Sequence, residues 1–398
     1  MSRSPFILLC TAGLLAVFSS TISKSPALPL FAAHLGANPS LVGAIAAVSA
    51  LTGILASIPA GIMSDRYGRR RMLVISGVVF ATAPFLYLFV TGLWQLALVR
   101  LYHGLATAIF VPVATAYVSG LHVQARGERI GWFSTSTLLG RFMAPAAGGL
   151  MLGAFAIPTS GFHAVYLLCG LAGIAALPFI LALPDDHFNN NASHVITDTT
   201  GGRTGALIEF RAALSNRAIL ITALVEASIL FVYGTFETFL PLYIVGRGGG
   251  AWEAGTVLSS QVITLALTKP MMGRFSDRHG RRPQIIYGAL GAAVCIACVP
   301  AAQSLIPLVG VGVAFGLCIS TVTSATSAHI ADVSRAGGLG SSMGILGSVM
   351  DIGHTTGPLV SGLVAAGYGF GPAFVAAAAV PAVFCVLFVL SPRISGRP

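Results

Sequence analysis

The sequence predicts an all-α membrane protein of twelve transmembrane helices. They form two six-helix parallel repeats related by a pseudo-two-fold axis along the membrane normal. Three observations carry this: 398 residues that are 55% apolar and only 9% charged, basic residues crowded into alternate loops, and a motif set that recurs about 212 residues further on. A soluble domain carries roughly 25% charged residues, so a chain this poor in charge turns most of its surface toward something other than water. A spanning helix needs about 20 apolar residues, which leaves little length here for a sizeable soluble domain.

Apolar runs between charged or Gly/Pro breaks place spans near 6–33, 40–62, 72–92, 94–120, 129–155 and 163–183. Six more follow near 218–246, 252–273, 284–303, 306–331, 340–367 and 371–391. Residues 1–183 then form an N-terminal bundle, 184–217 a polar cytoplasmic linker, and 218–398 a C-terminal bundle. Arg3 and the apolar stretch behind it resemble a signal peptide. The stretch runs from Pro5 to Ala33, longer than a cleaved h-region, and is read as a retained first span.

Orientation follows from the bias of Lys and Arg toward cytoplasmic loops. Of 22 such residues, 17 fall on the side that also holds both termini, while the opposite loops hold Arg247 alone. Lys24, Arg100, Arg141 and Lys269 lie within spans. Both termini are expected in the cytoplasm, and the net charge of +10 reads as a topology signal, with no nucleic-acid partner. The six cysteines all lie in apolar runs, including the CxxC of Cys295 and Cys298, and read as small packing residues. No metal or cofactor is expected.

The internal repeat decides the architecture. Gly61-Ile-Met-Ser-Asp65-Arg66-Tyr-Gly68-Arg69-Arg70 recurs as Gly273-Arg-Phe-Ser-Asp277-Arg278-His-Gly280-Arg281-Arg282. Leu28-Pro29-Leu30 returns as Leu240-Pro241-Leu242, and Gly140, Pro145 and Gly149 as Gly353, Pro358 and Gly362. An even number of spans per copy makes the repeats parallel, which places a substrate site between the halves near the midplane.

These residues resemble the major facilitator superfamily along the whole chain. The loop GIMSDRYGRRRM is similar to that superfamily's signature between spans 2 and 3. The resemblance implies a cytoplasmic gate made by Gly61, Asp65, Arg66, Gly68 and Arg69, with Gly273, Asp277, Arg278, Gly280 and Arg281 as its second copy. In it Gly61 lets helices approach closely, Asp65 meets the start of span 11 near Ser341 and Ser342, and Asp277 meets the start of span 5. Arg100-Leu-Tyr-His103-Gly104 resembles the family's span 4 motif, with His103 where Gln is usual; in proton-coupled members this Arg is associated with proton transfer. Span 5, with Gly140, Pro145 and Gly149, looks like the antiporter motif of drug/proton exchangers, though Ala144 replaces its second Gly. Span 11 repeats the pattern with Gly353, Gly357, Pro358 and Gly362, small residues suited to close helix packing and a pivot.

Ionisable residues inside a bilayer cost roughly 2.5–3.5 kcal/mol each on the mild insertion scale, so each is a functional candidate. Lys24, Arg100, His103 and Arg141 supply a basic N-terminal side for an anionic part of a substrate; Glu226, Glu237, Asp351 and His354 supply an acidic C-terminal side. Glu237 is the first choice for a proton carrier, Asp351 the second, with Arg100 assisting. Lys24 and Glu237 occupy near-symmetric places and are expected to pair when the outer gate closes. Lys269 lies about a turn from a helix end and is expected to snorkel. The hydroxyl-rich run from Ser320 to Ser327 suits a cavity wall or interhelical packing.

Drug exporters of the superfamily commonly carry an acid in span 1. Here Lys24 stands there and spans 1 to 6 hold no acid, which favours a small anionic or zwitterionic amphiphile over a cationic drug. The expectation is a monomeric, proton-coupled exporter in a cell inner membrane, whose partners are a small molecule, protons and lipid. Uptake by proton symport is the second reading, because helix pattern does not encode direction, and a non-transporting sensor the third. The chain has no HExxH and no GxSxG, so an enzyme is not expected.

Overall fold

The computed structural model describes residues 4–121, 126–185, 216–334 and 339–391. Within them every predicted span is helical. Span 1 is broken into Pro5–Lys24 and Ala27–His34, at Pro26, which lacks a backbone N–H to continue the ladder. Spans 2 to 6 are Pro39–Tyr67, Arg69–Leu86, Leu93–Leu121, Arg126–Ala154 and Pro158–Leu181. Spans 7 to 12 are Arg217–Gly246, Ala251–His279, Arg281–Cys298, Leu305–Val333, Leu339–Tyr368 and Phe370–Leu390. Most of the linker 186–215 lies outside the described residues.

Local chemistry sets the ends. Asn38 accepts a hydrogen bond from the Leu41 N–H at 2.9 Å, and Pro39 occupies the first turn, a start signal that satisfies one donor and wastes none. Gly68 and Gly280 close spans 2 and 8 at φ 94° and 90°, left-handed conformations that glycine adopts without a Cβ penalty. The two arginines after each glycine reach neighbouring helices. Arg70 donates to the Leu181 carbonyl and pairs with Asp185 at the end of span 6. Its repeat counterpart Arg282 donates to the carbonyls of Phe388, Val389 and Ser391 at the end of span 12. Helix C-termini leave carbonyls unpaired and carry partial negative charge, so a guanidinium is well matched to that position.

Nine of the described helices are long and apolar enough to cross a membrane unaided. Spans 5, 8 and 11 fall short, and these three carry Arg141, Gln261, Lys269, Asp351 and His354. A helix with a polar stripe is accommodated in a bilayer when that stripe faces protein or water.

The chain divides into two compact units that cut across the repeat. The first holds Met1–Phe188 with Glu237–Val262 and Pro358–Phe370: six helices of the first repeat, joined by the ends of spans 7, 8 and 11 remote from the arginine-rich loops. The second holds Asn189–Phe236, Ile263–Gly357 and Gly371–Pro398.

Close packing follows the repeat symmetry. A Cβ on Gly140 would strike the Leu14 carbonyl, and one on Gly353 the Ala227 carbonyl. These are corresponding contacts, spans 5 on 1 and 11 on 7, one residue out of register, since the repeat equivalent of Leu14 is Glu226, next to Ala227. A second pair joins the repeats to each other inside the first unit. A Cβ on Gly149 would lie 2.6 Å from the Ala251 carbonyl, and one on Gly362 2.7 Å from that of Pro39. Gly255 likewise abuts the Pro145 carbonyl and Gly43 that of Pro358. Spans 5–8 and 2–11 thus form one seam seen twice about the pseudo-two-fold. Small residues let backbones touch where lipid offers no hydrophobic drive for association.

At the motif glycines the expected close approach is not made in this structure. A Cβ at Gly61 or Gly273 would meet nothing within 4 Å, nor would one at Gly131 or Gly344. The tight glycine contacts of these helices run from their middles to their other ends, and the arginine-rich ends are open at these four positions.

Candidate functional site

Lys24 and Glu237 come together. Lys24 ends the first helix of span 1, and Glu237 sits in span 7 opposite that break. Their Nζ and Oε2 atoms are 2.8 Å apart, with the carboxylate largely buried. Both belong to the first compact unit, on the same side as the glycine seam. An ion pair at this depth offsets the cost of holding either charge alone.

Arg100 and His103 lie three apart on span 4, on one helix face. They are 3% and 2% exposed, inside the N-terminal bundle and away from any open face, a correction to the expectation that they line a cavity. Both approach the Tyr87 hydroxyl at 3.4 Å, and the Tyr87 ring stacks on Tyr166 with centroids 4.2 Å apart. Arg100 and His103 share the Tyr87 hydroxyl, while Arg100 Nε, His103 Nε2 and the Tyr166 hydroxyl make no hydrogen bond among the described residues.

Arg141 is exposed. Trp132, Leu139, Met143 and Leu150 are exposed large apolar residues of the same helix, and at about 100° per residue they lie roughly 160–200° around it from Arg141. Arg141 therefore points away from the lipid-facing stripe. It has no hydrogen-bond or ion-pair partner among the described residues.

The second unit presents a comparable face on span 11. Asp351 is exposed, and Gly344, Gly347 and His354 fall within about 60° of it around the helix; Cβ atoms at both glycines would meet open space. The lipid-facing residues Ile352, Val360 and Leu363 lie roughly 100–180° away. His354 stacks on Tyr233 of span 7, centroids 5.6 Å apart. Arg141 and His354 are repeat equivalents, each following the first glycine of its motif. Glu226 is 1% exposed and contacts the Thr326 hydroxyl of span 10, which accounts for part of that span's hydroxyl run as interhelical packing.

In the second copy of the gate motif, Asp277 pairs with Arg281 of its own turn, and Arg281 with Asp332 of span 10 at 2.8 Å. Asp332 has Gly120 as its repeat equivalent, so the first copy lacks this acid; Arg69 donates instead to the Ala116 carbonyl at 3.0 Å. The side chains of Asp65 and Ser341 lie outside the described residues.

Sequence reasoning missed Ser259. Its hydroxyl donates to the Phe142 carbonyl at 3.0 Å and accepts from the Ala146 N–H at 2.9 Å. These two groups are four residues apart, the pair that an unbroken helix would join directly. Span 8 thus inserts a hydroxyl into the ladder of span 5 beside Pro145, a recognised cause of helix bending. No periodicity in the sequence marks one serine among many for that.

Two parallel six-helix repeats, broken by internal charges and joined at glycine seams, define a polytopic membrane transporter. The chain matches the Major Facilitator Superfamily over residues 9–259 and 249–398, and it belongs to that family. It is 27% identical over 390 residues to the multidrug resistance protein MdtG of Proteus mirabilis, covering 89% of this chain and 88% of that one. It is 24% identical over 380 residues to the multi-drug resistance efflux pump PmrA of Streptococcus pneumoniae, 92% and 91% covered. An uncharacterized transporter of Methanocaldococcus jannaschii matches at 27% over 258 residues, 64% of each chain. Among solved structures, an inward-facing, unoccupied bacterial homologue of the human lysosomal transporter Spinster superposes with TM-score 0.81 at 17% identity, covering 97% and 96%. The nucleoside transporter NupG gives TM-score 0.75 at 16% identity, covering 97% and 98%. These structures share the fold.

Proposed function

We propose that the chain is a proton-coupled exporter of small anionic or zwitterionic amphiphiles, working by alternating access in a cell inner membrane with both termini cytoplasmic. The observation that carries this reading is the Lys24–Glu237 ion pair at 2.8 Å, on the side closed by the glycine seam. A proton on Glu237 removes one charge of the pair and frees Lys24, so protonation from outside and opening of that side become one event. Asp351, on the open face of span 11, is the second carboxylate available for coupling. Arg100 acts from inside the N-terminal bundle, where it adds positive potential and, with His103, holds Tyr87.

Arg141 supports the substrate class: an unpaired guanidinium on the face away from lipid is a ready partner for a carboxylate or sulfonate. Asp351 and His354, on the open face of span 11, are the second unit's candidates for binding polar groups of the substrate. Export as the direction rests on the relatives MdtG and PmrA, whose names describe multidrug resistance and efflux. The motif loops form the cytoplasmic gate, closed in the opposite state.

Transport of a fluorescent organic anion, a zwitterionic quinolone and the cation ethidium into proteoliposomes under an imposed pH gradient tests the class. The anion or zwitterion is expected to move, and Arg141→Ala to slow it at least tenfold while Arg141→Lys keeps a substantial part. Preference for ethidium, or indifference to Arg141→Ala, would remove the substrate assignment.

A further inference from the structure

We infer that Glu226 is a second proton-binding site of the transport cycle, loaded with a proton in the state seen here. This rests on the proton-coupled reading above but assigns the proton to a group outside the Lys24–Glu237 pair.

The argument starts from what surrounds the carboxyl. Glu226 lies in the body of span 7, ten residues into the helix Arg217–Gly246, and is 1% exposed. No Lys, Arg or His lies within ion-pair distance among the described residues. An ionised carboxylate placed so, without a paired cation, is strongly disfavoured. Glu237 shares this helix and is ion-paired, so the two acids are held in opposite circumstances.

Hydrogen counting at Thr326 points the same way. Its hydroxyl has one hydrogen and three oxygen neighbours: the Val322 carbonyl at 2.9 Å, the Thr323 carbonyl at 3.4 Å and Oε2 of Glu226. The two carbonyls can only accept. When the Thr326 hydrogen goes to Val322, as its position one turn along the helix favours, the contact with Glu226 needs a hydrogen from the carboxyl. A neutral Glu226 donates to Thr326 Oγ1, and every member of the cluster is satisfied.

The groups that face the site are few. Span 10 brings Thr326 and, one turn on, His329. Span 11 packs its Gly353 on Ala227, beside Glu226, and carries Asp351 and His354. Span 8 brings Lys269, which acts on Glu226 through space from beyond ion-pair distance. Any motion that brings Lys269 or water closer favours release of the proton from Glu226 as H⁺, leaving the carboxylate. Glu226 and Glu237 are eleven residues apart, about 16 Å of helix rise, so the two acids divide the crossing into stages.

Infrared difference spectroscopy of the purified, lipid-reconstituted protein tests the loading without any substrate. At pH 7 the wild type should show the carbonyl stretch of a protonated carboxylic acid that is absent from Glu226→Gln. Thr326→Val should shift that band upward by removing the hydrogen-bond acceptor. Vesicles loaded with a zwitterionic quinolone test the cycle: Glu226→Gln, which imitates the neutral acid and keeps the fold, should lose at least tenfold of pH-driven accumulation while exchange without a gradient persists. The inference is overturned if wild type and Glu226→Gln give the same spectrum, or if Glu226→Gln accumulates like wild type. If the wild type itself ignores the pH gradient, the proton-coupled reading fails, and with it the transport role, while the infrared band still reports on loading.

Discussion

Lys24 and Glu237 show how much a single pair can decide. Each charge is tolerable in the membrane because the other is 2.8 Å away, so replacing either leaves its partner stranded. Glu237→Gln is expected to weaken the closed outer side by roughly 1–3 kcal/mol, a five- to 150-fold shift in the balance of states. The rate at which a water-soluble maleimide labels a cysteine placed at Ser25 reads this shift directly. The reversed pair, Lys24→Glu with Glu237→Lys, should restore much of the slow labelling. Equal labelling rates in all variants would show that the pair is incidental. The pairing of these residues was legible in the sequence because the repeat offset puts Ser25, next to Lys24, opposite Glu237. Burial of Arg100 and His103 was not, because nothing local separates a charge that lines an opening from one wrapped by Tyr87, Tyr166 and Phe80. That depends on which way span 4 turns within its bundle.

Among the helices, glycines fall into two sorts that the sequence alone does not distinguish. At Gly353 a methyl would strike the Ala227 backbone, so Gly353→Ala should force spans 7 and 11 apart and cost about 1–3 kcal/mol. At Gly61 and Gly273 a methyl meets open space, and Ala is preferred over Gly in a helix by roughly 0.5–1 kcal/mol. Gly61→Ala and Gly273→Ala should therefore raise thermal stability in detergent while slowing turnover, because they favour this state over the one in which those positions pack. A fall in stability for either would mean that the motif glycines are already engaged. The span boundaries themselves were legible to within about six residues, since apolarity and the Gly68 and Gly280 turns mark them. Spans 5, 8 and 11 are the least apolar, and the reason is visible in the structure: Arg141 and Asp351 occupy open faces set away from the lipid-facing side chains.

Across the whole molecule, the seam of spans 5–8 and 2–11 is made at one end of these helices, while Gly61, Gly273, Gly131 and Gly344 near the arginine-rich ends meet nothing within 4 Å. Cysteines placed singly at Gly61 and Gly344 are expected to react quickly with a water-soluble maleimide at rest and more slowly during turnover; labelling rates that no gradient changes would rule out closure at these positions. The units seen here cut across the repeats, which no sequence pattern reveals, because it depends on which ends of spans 7, 8 and 11 are packed at a given moment.

Coupling itself is tested most directly by following a zwitterionic quinolone in sealed proteoliposomes with an acid interior. Exchange for protons predicts concentration of the compound inside, collapse of that accumulation by a protonophore, and loss of the gradient's effect in Glu237→Gln with passive exchange intact. Accumulation driven by an alkaline interior, or accumulation that survives the protonophore, would contradict it.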